Sequence, residues 1–177
     1  MSFIMIMTLF SLIAYIPQYF LGDRKNYRTA LRRGMAGGFT FTGIDHFLSA
    51  ETRYVPMLPD FLDIYALELV YFVGIAELLG ALGLILPLTI YKRLNLPNLR
   101  RWAGIGLSTM LVFIAIANIK VAMKGTSVEG LEFGAWYYWL RPFLQPIIIL
   151  WALYVSGIIW NPGKKDNSLK SDTHIDA

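Results

Sequence analysis

The chain has 177 residues, of which 56% are hydrophobic, 15% aromatic and 16% charged, and it carries a formal net charge of +4. Together with a mean hydropathy of +0.51, this composition predicts an integral membrane protein, because a water-soluble fold rarely exposes so much apolar surface. Cysteine is absent from the sequence, which excludes disulfides, thiol exchange, thiolate zinc sites and cysteine-bound iron–sulfur clusters.

The first two predicted helices are separated by a basic cluster. An uncharged stretch over residues 3–21 comes first. The basic residues that follow are Arg24, Lys25, Arg28, Arg32 and Arg33. A cleaved signal peptide carries its positive charge before the apolar core, so we expect a retained helix. The second helix is predicted over residues 27–48, with Asp45 and His46 near its end. Residues 49–60, which contain two prolines, are expected to form a loop or a half-buried segment.

The remaining predicted helices cover residues 62–87, 102–123 and 138–160. Glu77 is the only Asp, Glu, Lys or Arg in the apolar part of the first of these, and it shares a helix face with Gly74, Gly80 and Ala81. A carboxylate that faces lipid is very costly, so Glu77 should point into a bundle and be protonated or paired. The small residues beside it should let another helix come close.

The basic residues indicate how these helices cross the membrane. With the N-terminus outside, twelve Lys and Arg residues fall inside and four outside, and an excess of basic residues marks the cytoplasmic side. We therefore predict one all-α transmembrane domain, residues 1–162, with five spans, an inside C-terminus and a flexible cytoplasmic tail over residues 163–177. Alternatively, the first segment is a peripheral arm beside a four-helix core. The net charge thus indicates topology rather than nucleic-acid binding.

Six polar residues are predicted to lie in the outer half of this bundle. They are Asp45, His46, Glu77, Asn118, Arg141 and Gln145. We expect them to line one outward-facing pocket, in which Glu77 or Asp45 pairs with Arg141, because a guanidinium cannot be neutralised. Each residue also has a purely structural interpretation, as a protonated acid, an interfacial histidine, a snorkelling arginine or an amide that joins two helices. Their joint placement favours a functional role.

The same residues limit the chemistry of the pocket. His46 is the only histidine in the predicted membrane region, which excludes a bis-histidine haem within one subunit. Asp45 and His46 are adjacent and point about 100° apart on a helix, so they chelate a metal poorly, and no metal site is predicted. Nucleotide-binding, zinc and serine-hydrolase motifs are absent. Proton-coupled chemistry or the binding of an amphipathic ligand such as a quinone remains feasible, although no cofactor follows from the sequence.

A series of short motifs in order resembles the DoxX and DoxX-like membrane proteins. The motifs are Gly43 to Phe47, the Pro56/Pro59 loop, Val73 to Glu77 with Gly80 and Gly83, Ala117-Asn118, and Arg141 to Gln145 with Trp151. The resemblance covers about residues 28–154 and implies a four-helix core to which the N-terminal helix is an addition. It places His46, Glu77, Asn118, Arg141 and Gln145 at the polar positions of that family. Val73 and Ile116 stand where the family often has Ser and Pro.

The resemblance implies a membrane setting and a link to quinones, because one branch of that family is associated with thiosulfate:quinone oxidoreduction. The leading hypothesis is a redox-associated subunit of the cell inner membrane with a redox protein partner. In it, His46 and Glu77 handle protons, while the ligand is bound by Asp45, Asn118, Arg141 and Gln145. The second hypothesis is a non-catalytic accessory or assembly subunit. The third is a lipid or sterol isomerase-like enzyme, which requires an apolar cavity beside Glu77.

Overall fold

A computed structural model of the chain describes residues 3–21, 26–124 and 135–160. Within these ranges the regular structure is entirely helical, which confirms the predicted all-α class. The α-helices are α1 (Phe3–Phe20), α2 (Tyr27–Leu48), α3 (Ala66–Ile85), α4 (Leu88–Arg93), α5 (Leu99–Lys124) and α6 (Ala135–Ser156). Four helical stretches in these ranges are long enough and apolar enough to cross a membrane, and they contain α1, α3, α5 and α6. Residues 163–177, predicted as a tail, lie outside the described ranges.

Helix α2 is the least apolar of the long helices, and it packs against α1, α3 and α6. The Asn26 side chain caps its N-terminus by accepting a hydrogen bond from the backbone N–H of Thr29. Three arginines in the first two turns lower its hydropathy. Its buried residues include Gly34, Ala36 and Gly38, and small residues of this kind favour close contact between helices. Its neighbours therefore cover much of the surface that would otherwise face lipid.

Several predicted helix boundaries differ from those in the structure. The segment between α2 and α3 forms a π-helical turn at Ala50–Tyr54 and 3₁₀ turns at Val55–Met57 and Asp60–Tyr65. The α-helix predicted from residue 62 therefore begins only at Ala66. The last helix was predicted to reach residue 160 but ends at Ser156, where Gly157 adopts a φ of +86°. A left-handed glycine commonly ends a helix in this way.

Helices α2 and α3 cross at two glycines. A Cβ on Gly74 would lie 2.9 Å from the Cβ of His46 and 3.1 Å from the carbonyl oxygen of Gly43. Carbon atoms rarely approach so closely, so the crossing requires glycine at this position. The predicted small-residue face of α3 is confirmed, because Gly80, Ala81 and Glu77 are buried together with Gly74. This crossing brings His46 on α2 next to Glu77 on α3.

The helix ends meet in two groups. The end of α2 lies beside the start of α3, and this group also contains the end of α5 and the start of α6, as the buried cluster of Val121 and Tyr137 shows. We call it the pocket end. At the opposite end, the start of α5 packs on the end of α3 through Ala103 and Gly83, and on the end of α6 through Gly104 and Ser156. We call this the arginine end.

Candidate functional site

A cavity of about 410 Å³ lies within the pocket end. All six polar residues predicted from the sequence line it: Asp45, His46, Glu77, Asn118, Arg141 and Gln145. Much of the remaining wall consists of apolar side chains from α1, α3, α5 and α6, such as Ile6, Val70, Ile114 and Ile148. Cavities of roughly 300–1,000 Å³ with a mostly apolar wall and a few polar groups are typical of small-molecule sites.

His46 and Glu77 form the buried polar centre of the cavity. Their residues are 7% and 4% exposed. Nδ1 of His46 lies 2.7 Å from the carbonyl oxygen of Thr42 and 3.2 Å from Oε2 of Glu77. A carbonyl oxygen can only accept a hydrogen bond, so Nδ1 carries a proton and donates it to Thr42. Oε2 of Glu77 touches the imidazole without receiving that hydrogen bond. In a neutral imidazole with its proton on Nδ1, Nε2 is the nitrogen that can accept a proton.

Asp45 is bound by three side chains that follow it in the sequence. The hydroxyl groups of Ser49 and Tyr54 donate to its oxygens at 3.0 Å and 2.7 Å, and Arg53 donates a charged hydrogen bond to Oδ2. Burial, followed by the hydrogen bond to Asp45, raises the pKa of Tyr54, so its phenol stays protonated and donates. Asp45 therefore anchors the segment between α2 and α3 to the end of α2.

Tyr54 also covers His46. The two rings are stacked with their centroids 3.8 Å apart and an interplanar angle of 21°. Tyr54 and Arg53 were not among the residues that the sequence predicted for the pocket. Both side chains reach Asp45 through the π-helical turn Ala50–Tyr54. The only signal in the sequence for these contacts is an acidic residue at a helix end with an Arg-Tyr pair shortly after it.

Asn118 and Gln145 join α5 to α6 on the other side of the cavity. The Asn118 amide donates to Oε1 of Gln145 at 3.0 Å, and the Gln145 amide donates to the carbonyl oxygen of Leu111 at 2.9 Å. Both amide residues are buried, at 3% and 5% exposure. Within the described residues, Oδ1 of Asn118 has no hydrogen-bond partner. It remains an acceptor in the cavity wall.

The predicted ion pair between Arg141 and a carboxylate was wrong. In the part of the chain that the structure describes, Asp45 pairs with Arg53, Glu77 lies against His46, and Arg141 forms no ion pair. Asp45 is not available because three donors already occupy its oxygens. Nη1 of Arg141 is buried and has no hydrogen-bond partner among the described residues. The guanidinium is therefore a cation in the cavity wall that has no carboxylate partner within the described ranges.

The cavity thus contains three buried polar atoms without hydrogen-bond partners in the described ranges: Oε2 of Glu77, Oδ1 of Asn118 and Nη1 of Arg141. An unsatisfied buried polar group costs about 1–3 kcal/mol, and in native proteins water or a ligand usually satisfies it. These three atoms can together receive a ligand that both accepts and donates hydrogen bonds. The described residues contain no group of three or more His, Cys, Asp or Glu that could hold a metal.

The fold and the site define an all-helical protein with four candidate membrane-spanning helices and an internal polar cavity. Residues 35–156 match the family model of a domain of unknown function, DUF8561. The chain belongs to this family, and the matched region contains all six predicted polar residues. No curated protein and no solved structure shows significant similarity to the chain. The resemblance to DoxX proteins therefore stays a prediction.

Proposed function

We propose that this chain is a redox-associated subunit of the cell inner membrane whose cavity binds a quinone or a similar amphipathic ring compound. The observation that carries the proposal is the set of unpartnered atoms on Glu77, Asn118 and Arg141 around one largely apolar cavity. A polar ring on an apolar molecule satisfies these atoms without bringing further charge into the bundle. We also propose kinship with the DoxX proteins, on the motifs quoted above.

The exposed surface of the helices supports a membrane location. In the most apolar windows of the four candidate spans, only 22–33% of the residues are buried inside the protein. Apolar surface of this extent is rare on proteins in water. Helix α2 has 22 residues and a length of about 33 Å, so it is long enough to be a fifth span. The bias of basic residues supports an outside N-terminus and an inside C-terminus.

The cavity offers complementary groups to both redox forms of a quinone. A carbonyl oxygen of the oxidised ring accepts a hydrogen bond from Nη1 of Arg141. A hydroxyl group of the quinol donates to Oε2 of Glu77 or to Oδ1 of Asn118. The aliphatic wall then contacts the ring and the start of its chain. Asp45 and Gln145 act indirectly in this scheme, since their polar atoms already bind protein groups.

Proton transfer is the step that we assign to this chain. Oxidation of a quinol to a quinone releases two protons and two electrons. In this scheme Glu77 receives one proton from a ring hydroxyl. His46, which lines the same cavity, takes the second proton on Nε2, because its Nδ1 already carries one. Neither residue carries electrons, so the proposal includes a membrane or extracytoplasmic redox protein as the acceptor of both electrons.

The proposal is tested by native mass spectrometry and lipid extraction of protein purified in a mild detergent. We expect a ring lipid to be bound to wild type, and at least about tenfold less of it in Glu77→Gln and Arg141→Ala, since each removes a charged hydrogen-bonding group. Glu68→Gln is the matched control, because Glu68 is exposed on the same helix. Equal occupancy in all variants, or no ring lipid in wild type, contradicts the proposal.

An isomerase-like activity is a second candidate, because the apolar cavity that it requires is present beside Glu77. There Glu77 and His46 would remove a proton from one carbon of a ring lipid and return it to another. Incubation of the purified protein with its extracted lipid in deuterium oxide distinguishes the two functions. An isomerase incorporates deuterium at carbon and loses this activity in Glu77→Gln, whereas a quinone site incorporates none.

A non-catalytic accessory or assembly role is a third candidate. It is favoured by the hydrogen bond between Asn118 and Gln145, which joins two helices as a purely structural contact would. This role predicts that Glu77→Gln and Arg141→Ala reduce the recovery of a partner protein in pulldowns while no ring lipid is found in wild type. Unchanged recovery of the partner contradicts it.

A further inference from the structure

Three arginines meet at the arginine end, away from the cavity. Arg28 and Arg32 lie one turn apart on α2, and Arg100 lies in the first turn of α5. Each is close enough to the other two for their charges to interact unfavourably. The three residues, which we call the arginine cluster, therefore form a concentrated positive charge between α2 and α5.

Neutral groups hold the arginine cluster in place. The Arg28 guanidinium lies over the ring of Tyr154, with its central carbon 5.1 Å from the ring centroid. Nη2 of Arg100 donates to the carbonyl oxygen of Leu86 at 3.0 Å, and Nη2 of Arg32 donates to the Thr29 hydroxyl at 3.3 Å. In the described part of the chain no carboxylate pairs with any of the three.

Two nitrogens of the arginine cluster are buried and unpartnered. They are Nη2 of Arg28 and Nε of Arg100, which find no hydrogen-bond acceptor among the described residues. A buried donor on a cation is more costly to leave unpaired than a neutral one. Arginines presented in this way bind phosphate groups well, because the guanidinium donates parallel hydrogen bonds to phosphate oxygens.

An apolar groove contains Arg33, the sequence neighbour of Arg32, in its lining. It has a volume of about 600 Å³ and lies between α1, α2 and α3, with Phe10, Phe41, Leu82 and Ile85 in its wall and Arg33 at its margin. Ile85 directly precedes Leu86, the residue that binds Arg100, and the charge of Arg33 acts on Arg32. At Arg33 and Ile85 the groove therefore reaches the level of the arginine cluster, and it extends from there along α2 and α3 to Ile44 and Leu78, as the acyl chain of a phospholipid extends below its phosphate.

We propose that the arginine end binds one anionic phospholipid, with the phosphate on the arginine cluster and an acyl chain in the groove. Basic sites between transmembrane helices bind acidic headgroups in this manner. A free phosphate shares the anionic chemistry but leaves the groove empty, which is why we assign the site to a lipid. The inference does not depend on the ligand of the cavity.

The test is a native mass spectrometry titration of the full chain, delipidated in detergent, with phosphatidylglycerol and with phosphatidylcholine of the same acyl chains. We expect wild type to bind phosphatidylglycerol at least about tenfold more tightly. The double variant Arg32→Gln, Arg100→Gln should lose this preference. Lys92→Gln, Arg93→Gln is the matched control, because it removes the same charge from exposed positions on α4 and should keep the preference.

Two further variants control for a loss of lipid binding that is caused by misfolding. Arg32→Lys, Arg100→Lys keeps the charge and should retain a preference for phosphatidylglycerol. Thr40→Trp fills the groove from an exposed position and should weaken binding of the lipid without changing the charge. The proposal is overturned if the control double variant loses the preference as fully as the Arg32, Arg100 variant. It is also overturned if inorganic phosphate displaces the lipid at equal concentration, or if Thr40→Trp binds the lipid as wild type does.

Discussion

At the pocket end, Asp45 pairs with Arg53, Lys120 pairs with Asp60 and His46 contacts Glu77, whereas the arginine cluster at the other end has no carboxylate partner in the described ranges. Arg141 in the pocket end departs from this pattern, because it forms no ion pair with a described residue. The difference indicates how each end obtains its counter-charge. Among the described residues, the pocket end supplies carboxylates to its basic side chains, whereas the arginine end supplies only neutral groups.

Among the variants that test this difference between the two ends, Asp45→Asn should destabilise the protein most, because it removes the negative charge that three donors bind. We expect a loss of about 3 kcal/mol in the free energy of unfolding, since Ser49, Arg53 and Tyr54 all lose the negative charge to which they donate. Denaturant unfolding in detergent micelles measures the loss. Limited proteolysis should then cleave between α2 and α3. Asp63→Asn is the control at an exposed position, and an equal loss there would contradict the role of Asp45.

Gly74→Ala should separate α2 from α3 at the pocket end. The added methyl group collides with the Cβ of His46, and we expect a loss of about 2 kcal/mol in the free energy of unfolding, as for an overpacked core. Gly106→Ala is the matched control, because no atom lies within 4 Å of its added Cβ. Thermal unfolding followed by circular dichroism should give a lower midpoint for Gly74→Ala than for Gly106→Ala. Similar midpoints for both variants would contradict the close crossing.

Arg32→Gln and Arg53→Gln should respond oppositely to lipid. Without anionic lipid, Arg32→Gln should stabilise the protein by about 1 kcal/mol, because it relieves repulsion within the arginine cluster. With phosphatidylglycerol the same variant should be less stable than wild type. Arg53→Gln should destabilise in both conditions, because its partner Asp45 is within the chain. Unfolding in micelles with and without this lipid measures the contrast. If Arg32→Gln changes the stability in the same direction in both conditions, the predicted contrast is wrong.

Lys120→Gln should have the smallest effect. Lys120 binds the carbonyl oxygen of Leu58 and, at 2.8 Å, the carboxylate of Asp60, whose side chain is 67% exposed. Exposed ion pairs contribute little, so we expect a loss of about 0.5 kcal/mol in the free energy of unfolding, and less at high salt. Denaturant unfolding at two salt concentrations measures it. A loss as large as that of Asp45→Asn would mean that this contact, too, fastens the segment between α2 and α3.

Much of the candidate site could be predicted because depth along a helix follows from residue number. Residues such as His46, Asn118 and Gln145 were assigned to one level of the bundle by counting along their helices at about 1.5 Å per residue. The structure brings all six predicted residues to one cavity. Glu77 was expected to point inward because lipid does not tolerate its charge, and it is buried.

Which residues bind one another could not be predicted in the same way. Arg141 was expected to bind a carboxylate, yet Asp45 is occupied by groups brought to it by a π-helical turn. The partners depend on where the connecting segment folds back, and that path depends on contacts with α3 and α5. Tyr54 was missed for the same reason, because its position over His46 exists only in the folded chain.

The amino-acid sequence by itself determined the helical class, the approximate positions of the long helices and the level at which the polar residues lie. These properties depend on local composition and on the constant rise of the helix. Only the tertiary structure decided that α2 packs against α1, α3 and α6, that Gly43 and Gly74 meet, and that Nη1 of Arg141 is buried with no hydrogen-bond partner among the described residues. Such features depend on how each helix is rotated against its neighbours, and that rotation is decided by side-chain packing across the whole bundle.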